Sequence, residues 1–120
     1  MNSNKRTKGK EGEDIAANFL KNLGYEIVEQ NYQYGHGEID IVAKENDEYV
    51  FVEVKTRKSL EYGLPEFAIT KTKINQIKKV AFAYLIENKL DNQSARIDAI
   101  TILLQKDREP IINHYKNITG

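Results

Sequence analysis

Apolar and polar residues alternate at two different spacings along the chain, and these spacings divide it into helices and strands. Helical spacing of apolar residues over 9–23 and 71–89 predicts two amphipathic helices. Alternation with a period of two predicts five strands. They lie at residues 25–32, in two runs within residues 37–58, and at residues 95–104 and 111–116. The resulting order, α-β-β-β-α-β-β, predicts an α/β fold in which helices flank a mixed sheet.

The two runs within residues 37–58 form a predicted hairpin, because Asn46 and Asp47 between them favour a tight turn. Side chains two apart on a strand share a face. The first strand is therefore predicted to separate Glu38, Asp40 and Val42 from Ile39, Ile41 and Ala43. The second is predicted to separate Tyr49, Phe51, Glu53 and Lys55 from Val50, Val52 and Val54. In this register Asp40 lies across from Glu53 and Lys55.

Two carboxylates and an ammonium group at one end of a mostly apolar hairpin are costly to remove from water. A lysine paired with one acid would explain them, but the regular phase of the surrounding apolar residues favours a divalent metal site. Mg²⁺ prefers carboxylate oxygens, uses few protein ligands and keeps several waters. Asp40, Glu53 and the backbone carbonyl of Val54 are the predicted ligands. Lys55 is predicted to hold or activate the attacking water, or to screen the charge that develops on phosphorus.

The spacing of Asp40 from Glu53-Val54-Lys55 resembles the PD-(D/E)xK signature of restriction-endonuclease-like nucleases. The wider chain is similar to the uncharacterised bacterial YraN-type family, whose core is similar to that of archaeal Holliday-junction resolvases. The matching pieces, in chain order, are Gly12-Glu13 with Ala16 and Leu20, GEIDIVA, FVEVKTR, Gly63, Pro65, Glu66, Ala68 and Ile69, Lys73, the AYL at 83–85, and Arg96-Ile97-Asp98. The resemblance implies a restriction-endonuclease-like fold and a mechanism that uses Mg²⁺ or Mn²⁺.

Glu13 and Glu38 are candidates for assisting residues. Glu13 would favour the helix dipole as a first-turn acid, whereas the resemblance implies that it touches metal-bound water. Glu38 belongs to the matching GEID string. Glu38 is predicted to be a further metal ligand or an acid in the outer shell of the metal site. The alternative is a salt bridge from Glu38 to Lys44 or Arg96. Arg96 and Asp98 share a strand face and are predicted to support the site, with a same-strand ion pair as the alternative.

Two cations are candidates for binding nucleic acid. Arg57 begins a connection over residues 57–69 that is predicted to lie over the mouth of the site, where Arg57 would contact a phosphate. The alternative is a solvent-facing arginine. Lys73 lies in the first turn of the second helix, where a cation opposes the helix dipole. A phosphate or a site carboxylate would explain it, and the alternative is a lysine whose stem covers the core.

Composition limits the number of domains, the types of site and the cellular compartment that can be expected for this chain. A chain of 120 residues with 40% hydrophobic content predicts one compact domain at residues 9–116, between a flexible basic tail at 1–8 and a short tail at 117–120. The chain contains no cysteine, which excludes a disulfide framework and a thiolate metal site. The polar, basic start is not a secretory signal, and no apolar run could span a bilayer. A cytoplasmic protein with no membrane partner is expected.

Net charge is zero, with 18 basic and 18 acidic residues, which is unusual for an enzyme of nucleic acids. Basic residues nevertheless cluster at 5–10, 55–58 and 71–79, and these clusters predict a local basic rim around the acidic site. The predicted function is a Mg²⁺- or Mn²⁺-dependent endonuclease that hydrolyses DNA phosphodiester bonds, with branched DNA as a candidate substrate and DNA favoured over RNA.

Two other functions remain alternatives. One is a non-catalytic nucleic-acid binding module on the same fold, and the other is an interaction protein whose site-like charges are only structural. Resolvase-like relatives often pair, and a two-fold partner would suit branched DNA, so a homodimer is one expected state.

Overall fold

The computed structural model describes residues 3–58 and 69–119, and for residues 3–8 it describes the backbone alone. The elements are, in chain order, helix α1 (Ser3–Asn22), strands β1 (Glu26–Tyr34), β2 (Gly37–Glu45) and β3 (Glu48–Arg57), helix α2 (Lys71–Glu87), and strands β4 (Ala95–Leu103) and β5 (Ile111–Tyr115). This order confirms the predicted α/β arrangement. The predicted cover of the site by residues 57–69 falls mostly on residues 59–68, which lie outside the described residues.

All five strands form one open sheet in the order β1-β2-β3-β4-β5. β3 and β4 are parallel, because the chain returns through α2 between them, and all other neighbouring strands are antiparallel. The predicted hairpin of β2 and β3 is confirmed, since Glu45 pairs with Glu48 across the turn. Asn46 in that turn has a φ of 55°, the left-handed conformation that a tight hairpin turn favours.

Each face of the sheet carries one helix and one hydrophobic core. The core under α1 contains Ala16, Ala17, Leu20, Tyr25, Ile41, Ala43, Val50, Val52, Ile100 and Ile102. The core under α2 contains Tyr32, Ile39, Val42, Phe51, Ile77, Val80, Ala81, Tyr84 and Ile97. The three central strands bury side chains on both faces, as is typical of a sheet between two layers of helix. Neither helix is both long and apolar enough to cross a bilayer, as far as the described residues go.

α1 lies close to β3 because Gly12 has no side chain. A Cβ at this position would collide with Thr56 Oγ1, so the helix could not approach the strand as it does. A glycine within the apolar stripe of a helix predicts such a close approach of helix and sheet, and the contact of Gly12 with Thr56 confirms it. The helix begins at Ser3, earlier than the predicted start at residue 9, so the segment predicted as a flexible tail overlaps its first turns.

Helical spacing predicts that Ile15, Ala16, Phe19, Leu20 and Leu23 form the apolar stripe of α1, and the structure differs from this prediction at Leu23. This side chain is 55% exposed, because it follows the last helical residue. Gly24 then turns the chain with a φ of 97°, and the backbone N–H of Tyr25 donates to the carbonyl of Leu20 at 3.0 Å. The turn places Tyr25, rather than Leu23, in the core under α1.

The prediction that Ile39 and Ile41 share a face of β2 is wrong. Ile39 packs in the core under α2, whereas Ile41 packs in the core under α1. Glu38 consequently lies beside α1 residues in a cavity, while Val42 faces α2, so the predicted sharing of one face by these two residues is wrong as well. The change of face in β2 lies beside Asn31 of β1, which interrupts the regular pleat with a φ of 56°.

Candidate metal centre

Asp40 and Glu53 meet where the regular pairing of β2 with β3 ends. The last backbone pair in this direction is Ile41 with Val52. Beyond it, the Asp40 carboxylate takes the place of a backbone partner, because Asp40 Oδ2 accepts a hydrogen bond from the Val54 N–H at 2.7 Å. The side chain is therefore fixed within the hairpin rather than extended into solvent. This arrangement arises from the predicted register, in which Asp40 stands across from Glu53.

The two carboxyl groups share one environment that does not favour two negative charges. Burial raises the pKa of Asp40 to about 8, and a hydrogen bond and charge repulsion from Glu53 act in the same direction. The hydrogen bond from the Val54 N–H favours the ionised form but does not outweigh these effects. Asp40 therefore keeps a proton at neutral pH, and a divalent cation between the two acids would remove the same repulsion.

Lys73, at the start of α2, supplies a positive charge to Glu53. Its Nζ lies 3.3 Å from Glu53 Oε2, and the Glu53 side chain is only 14% exposed. The position of Lys73 is set by the start of α2, because its own backbone N–H donates to Thr70 Oγ1 at 3.1 Å in an N-terminal cap. Of the partners predicted for Lys73, the structure shows the site carboxylate.

Lys55 is close to the site in the chain but does not contact its acids. Strand alternation places it on the same side of β3 as Glu53, as predicted. Its side chain is exposed, and within the described residues it forms no hydrogen bond or ion pair with Asp40 or Glu53. Lys55 instead lines a cavity of about 400 Å³ together with Glu13, Val54 and Arg57. The predicted role of Lys55 in holding water stays a prediction.

Glu13 approaches the site from α1. It is half-buried, and its Oε1 accepts a hydrogen bond of 2.8 Å from Asn31 Nδ2 on β1. Burial raises the pKa of Glu13, the bond from Asn31 opposes that effect, and the charge of Glu38 adds to it. The charge of Glu13 in turn contributes to the raised pKa of Asp40. Glu13 therefore belongs to the same electrostatic site as Asp40, although it comes from a different element.

Glu38 lies at the outer edge of this acidic group. It is exposed and lines, with Glu13 and Asn31, a second cavity of about 920 Å³ between α1 and the β1–β2 end of the sheet. The alternative of a salt bridge from Glu38 to Arg96 is wrong, because Arg96 binds Glu45, Glu48 and Asp98.

Arg57 is exposed, and its Nη1 donates to the carbonyl of Thr56 at 3.3 Å. Arg57 lines the smaller cavity.

The donor atoms suit a hard cation that keeps most of its water. Within residues 3–58 and 69–119, no three His, Cys, Asp or Glu side chains lie close enough to enclose a metal ion. Asp40 and Glu53 nevertheless present two adjacent carboxylates, and Mg²⁺ sites commonly use one or two carboxylates with water and phosphate oxygens. The repulsion between these acids is the observation that makes the pair fit a divalent ion. Ligation by the Val54 carbonyl stays a prediction.

A family model for an uncharacterised protein family, UPF0102, matches residues 12–102. The chain belongs to this family. A UPF0102 protein of Trichlorobacter lovleyi is 49% identical over 107 residues, which cover 88% of this chain and 84% of the relative. A UPF0102 protein of Geotalea daltonii is 45% identical over 116 residues, covering 97% and 91%. The match confirms the predicted YraN-type family.

A second charged cluster, around Asp98, is separate from the candidate metal centre. Asp98 is fully buried and accepts hydrogen bonds from Arg96 Nε at 3.0 Å and from the Asn117 N–H at 2.9 Å. Arg96 also binds Glu45 and Glu48, which flank the hairpin turn at the opposite end from Asp40. The same-strand ion pair is therefore confirmed, and its partners tie the turn to β4 rather than supporting the site.

His114 completes this cluster, and sequence reasoning missed it. Its Nε2 lies 2.8 Å from Asp98 Oδ2, and its ring packs edge-on against Phe19 and Tyr25. β5 brings it there by pairing with β4, where His114 stands opposite Ile100. It lies beyond the last residue that matches the UPF0102 model, and a single histidine in a five-residue strand carries no signal of a buried partner.

Proposed function

We propose that this protein is a divalent-metal-dependent endonuclease that hydrolyses DNA phosphodiester bonds. The observation that carries the proposal is the pair of carboxyls, Asp40 and Glu53, held together at the end of a hairpin against their mutual repulsion. Such an arrangement disfavours the metal-free state, and acids are commonly placed in this way where a cation or a reacting group is to be bound. The resemblance to the PD-(D/E)xK signature adds phosphodiester hydrolysis as the class of reaction.

Asp40 and Glu53 would hold Mg²⁺ or Mn²⁺, and the bound ion would lower the pKa of a water molecule and neutralise charge on the phosphate. The Val54 N–H keeps Asp40 Oδ2 in place, which leaves Asp40 Oδ1 for binding. Lys55 would orient the attacking water from the small cavity, and Glu13 and Glu38 would orient waters on the α1 side. Lys73, which holds Glu53 in the metal-free protein, would then be free to approach a phosphate oxygen.

We infer the direction in which a substrate would approach from the charges that line the two cavities. The smaller one has a basic wall of Lys55, Arg57 and Lys58, whereas the larger one has an acidic wall that includes Glu13 and Glu38. A phosphate backbone is therefore expected to enter along the basic wall and to meet the acids at its end. The basic wall would therefore allow binding of nucleic acid although the net charge of the whole chain is zero.

The proposal is tested by incubating the protein with linear, branched and single-stranded DNA, with and without Mg²⁺ or Mn²⁺. We expect cleavage that requires the ion and that falls by at least about 100-fold in Asp40→Ala and Lys55→Ala, as is usual when a group that acts on the attacking water is lost. Lys106→Ala, at an exposed lysine in the turn after β4 and outside the three basic clusters, is the matched control and should cleave normally. Cleavage that survives both site substitutions would identify a contaminating nuclease.

A non-catalytic nucleic-acid binding module is the second candidate. The exposed position of Lys55, without contact to Asp40 or Glu53 among the described residues, favours it. This function predicts DNA or RNA binding that persists in Asp40→Ala and yields no metal-dependent product. A gel-shift measurement beside the cleavage assay distinguishes the two functions.

A further inference from the structure

Asn31 has an unusual backbone for its position. Its φ of 56° is left-handed, and among the described residues it is the only non-glycine residue of this kind within a strand. The others, Asn46, Lys89, Asp107 and Asn117, lie in turns or between elements. A left-handed residue inside a strand costs free energy, although asparagine tolerates it better than most, and such strain persists where the surrounding structure requires it.

The left-handed Asn31 lies where the inward face of β1 and β2 changes. The flanking pairs are Gln30 with Ile41 and Tyr32 with Ile39, so Asn31 stands across from Asp40. On one side of this point the strands contribute Ile41 to the core under α1, and on the other they contribute Tyr32 and Ile39 to the core under α2. The change of face occurs at the residue pair that contains the candidate metal ligand.

The side chain of Asn31 has a separate role. Its Nδ2 donates to Glu13 Oε1 at 2.8 Å and so connects β1 to α1 at the boundary of the two cavities. Glu13 has other acids, Asp14 and Glu38, near it, and their charges would repel it. The amide of Asn31 is the donor that keeps Glu13 at the cavity that Val54 also lines, and Val54 in turn holds Asp40.

We infer that Asn31 is a positioning residue of the metal centre, in which the backbone turns the Asp40 end of the sheet and the amide holds the Glu13 carboxylate beside it. The inference rests on the proposed function, because the centre it organises is the one proposed to bind the ion. It adds a residue of β1 that neither the pattern of apolar residues nor the nuclease signature indicates.

The two roles are separated by two substitutions. Asn31→Gly keeps the left-handed backbone, which glycine adopts freely, and removes only the amide. Asn31→Ala removes the amide and strains the backbone. Asn46→Gly is the matched control, because Asn46 has nearly the same φ, 55°, in the hairpin turn. Thermal midpoints should fall for Asn31→Ala and stay near that of the wild type for Asn31→Gly and Asn46→Gly.

Mn²⁺ affinity is then measured from the free-ion electron paramagnetic resonance signal. We expect Asn31→Gly to weaken binding by about tenfold, the lower end of the loss caused by removing an outer hydrogen-bond partner of a metal site. Asn46→Gly should bind as the wild type does. In a Glu13→Ala background, Asn31→Gly should cause no further loss, because the two residues act through one bond. A merely structural role would weaken binding in both backgrounds.

The side-chain amide signals of Asn31 in the metal-free protein provide an independent readout. They should shift in Glu13→Ala, whereas those of Asn46 should not. Unchanged Asn31 signals, or wild-type Mn²⁺ affinity in Asn31→Gly, would overturn the inference and leave the proposed function standing. Absence of Mn²⁺ binding to the wild type would defeat the proposed function and the metal-related part of this inference, while the amide signals would still decide whether Asn31 holds Glu13.

Discussion

Lys73 Nζ lies 3.3 Å from Glu53 Oε2, so a cation from the first turn of α2 neutralises a carboxylate of β3 that is almost buried. The Lys73 side chain is itself 45% exposed, which limits the strength of this ion pair. A divalent ion that binds Glu53 has to compete with the lysine. In the metal-free protein, Lys73 therefore forms a weak ion pair at the position where the proposed metal ion would bind.

Lys73→Met should consequently bind Mn²⁺ more tightly than the wild type does. Exposed ion pairs contribute about 0.2–1 kcal/mol, which corresponds to a gain of about 1.4- to fivefold in affinity. Isothermal titration calorimetry at low ionic strength measures it. Lys79→Met, on an exposed position of the same helix, controls for the general loss of positive charge. Equal gains in both variants would show that the Lys73–Glu53 contact has no specific effect.

Asp40→Asn should stabilise the metal-free protein at alkaline pH. The pKa of Asp40 is raised from its ordinary 3.8 to about 8, so the folded protein binds this proton more tightly than the unfolded chain. Stability is therefore lost as pH rises from about 4 through about 8. Asparagine mimics the protonated acid, because its oxygen can accept from the Val54 N–H and its amide can donate to Glu53.

Urea unfolding of wild type and Asp40→Asn at pH 4 and pH 9 measures this effect. At pH 9 the variant should be more stable by at least about 1.4 kcal/mol, the free energy of one pKa unit, and at pH 4 the two should be similar. Asp47→Asn, in the exposed hairpin turn, should show no such difference between the two pH values. A variant that is less stable than the wild type at pH 9 would contradict the interpretation of repelling acids.

Asp98→Asn should destabilise the protein without weakening Mn²⁺ binding. The substitution leaves Arg96 partly buried without the carboxylate that it binds, and breaking a buried ion pair costs about 3–5 kcal/mol. Burial alone would raise the pKa of Asp98, but hydrogen bonds from His114 and Arg96 outweigh it and lower the pKa. The stabilisation is thus present above the ordinary pKa and is lost as pH falls through the lowered value.

Thermal unfolding at neutral and strongly acid pH tests both the loss of stability in Asp98→Asn and its dependence on pH. The difference from the wild type should be large at pH 7 and should shrink in strong acid. Asp91→Asn, in an exposed turn, is the control and should unfold like the wild type. A loss of Mn²⁺ affinity in folded Asp98→Asn would mean that this cluster does support the metal centre.

Gly12→Ala should destabilise the protein, because the added Cβ collides with Thr56 Oγ1. Overpacking of this kind costs about 1–3 kcal/mol, and it exceeds the gain in helix propensity. Gly9→Ala, one helical turn earlier with nothing within 4 Å of the added atom, should instead be neutral or stabilising by up to about 1 kcal/mol. Denaturant unfolding measures both, and Thr56→Ala should restore the stability of Gly12→Ala if the collision is the cause.

Local patterns determined the hairpin and the main contact of the candidate site. The turn at Asn46 and Asp47 joins two strands with regular alternation, so the register follows from the count of residues between them. That register brings Asp40 to Glu53 whatever surrounds the hairpin. Gly12 was also predictable, because a glycine within an apolar helical stripe marks a close approach to whatever the helix packs on.

Contacts between distant segments were decided by the tertiary structure alone. The inward face of β1 and β2 changes at the left-handed Asn31, and strict alternation cannot anticipate a break in the pleat. The choice of Glu53 as the partner of Lys73 depends on where α2 crosses the sheet. His114 reaches Asp98 only because β5 pairs with β4. A sequence pattern specifies which face of an element is apolar, whereas packing of whole elements against one another selects which polar groups meet.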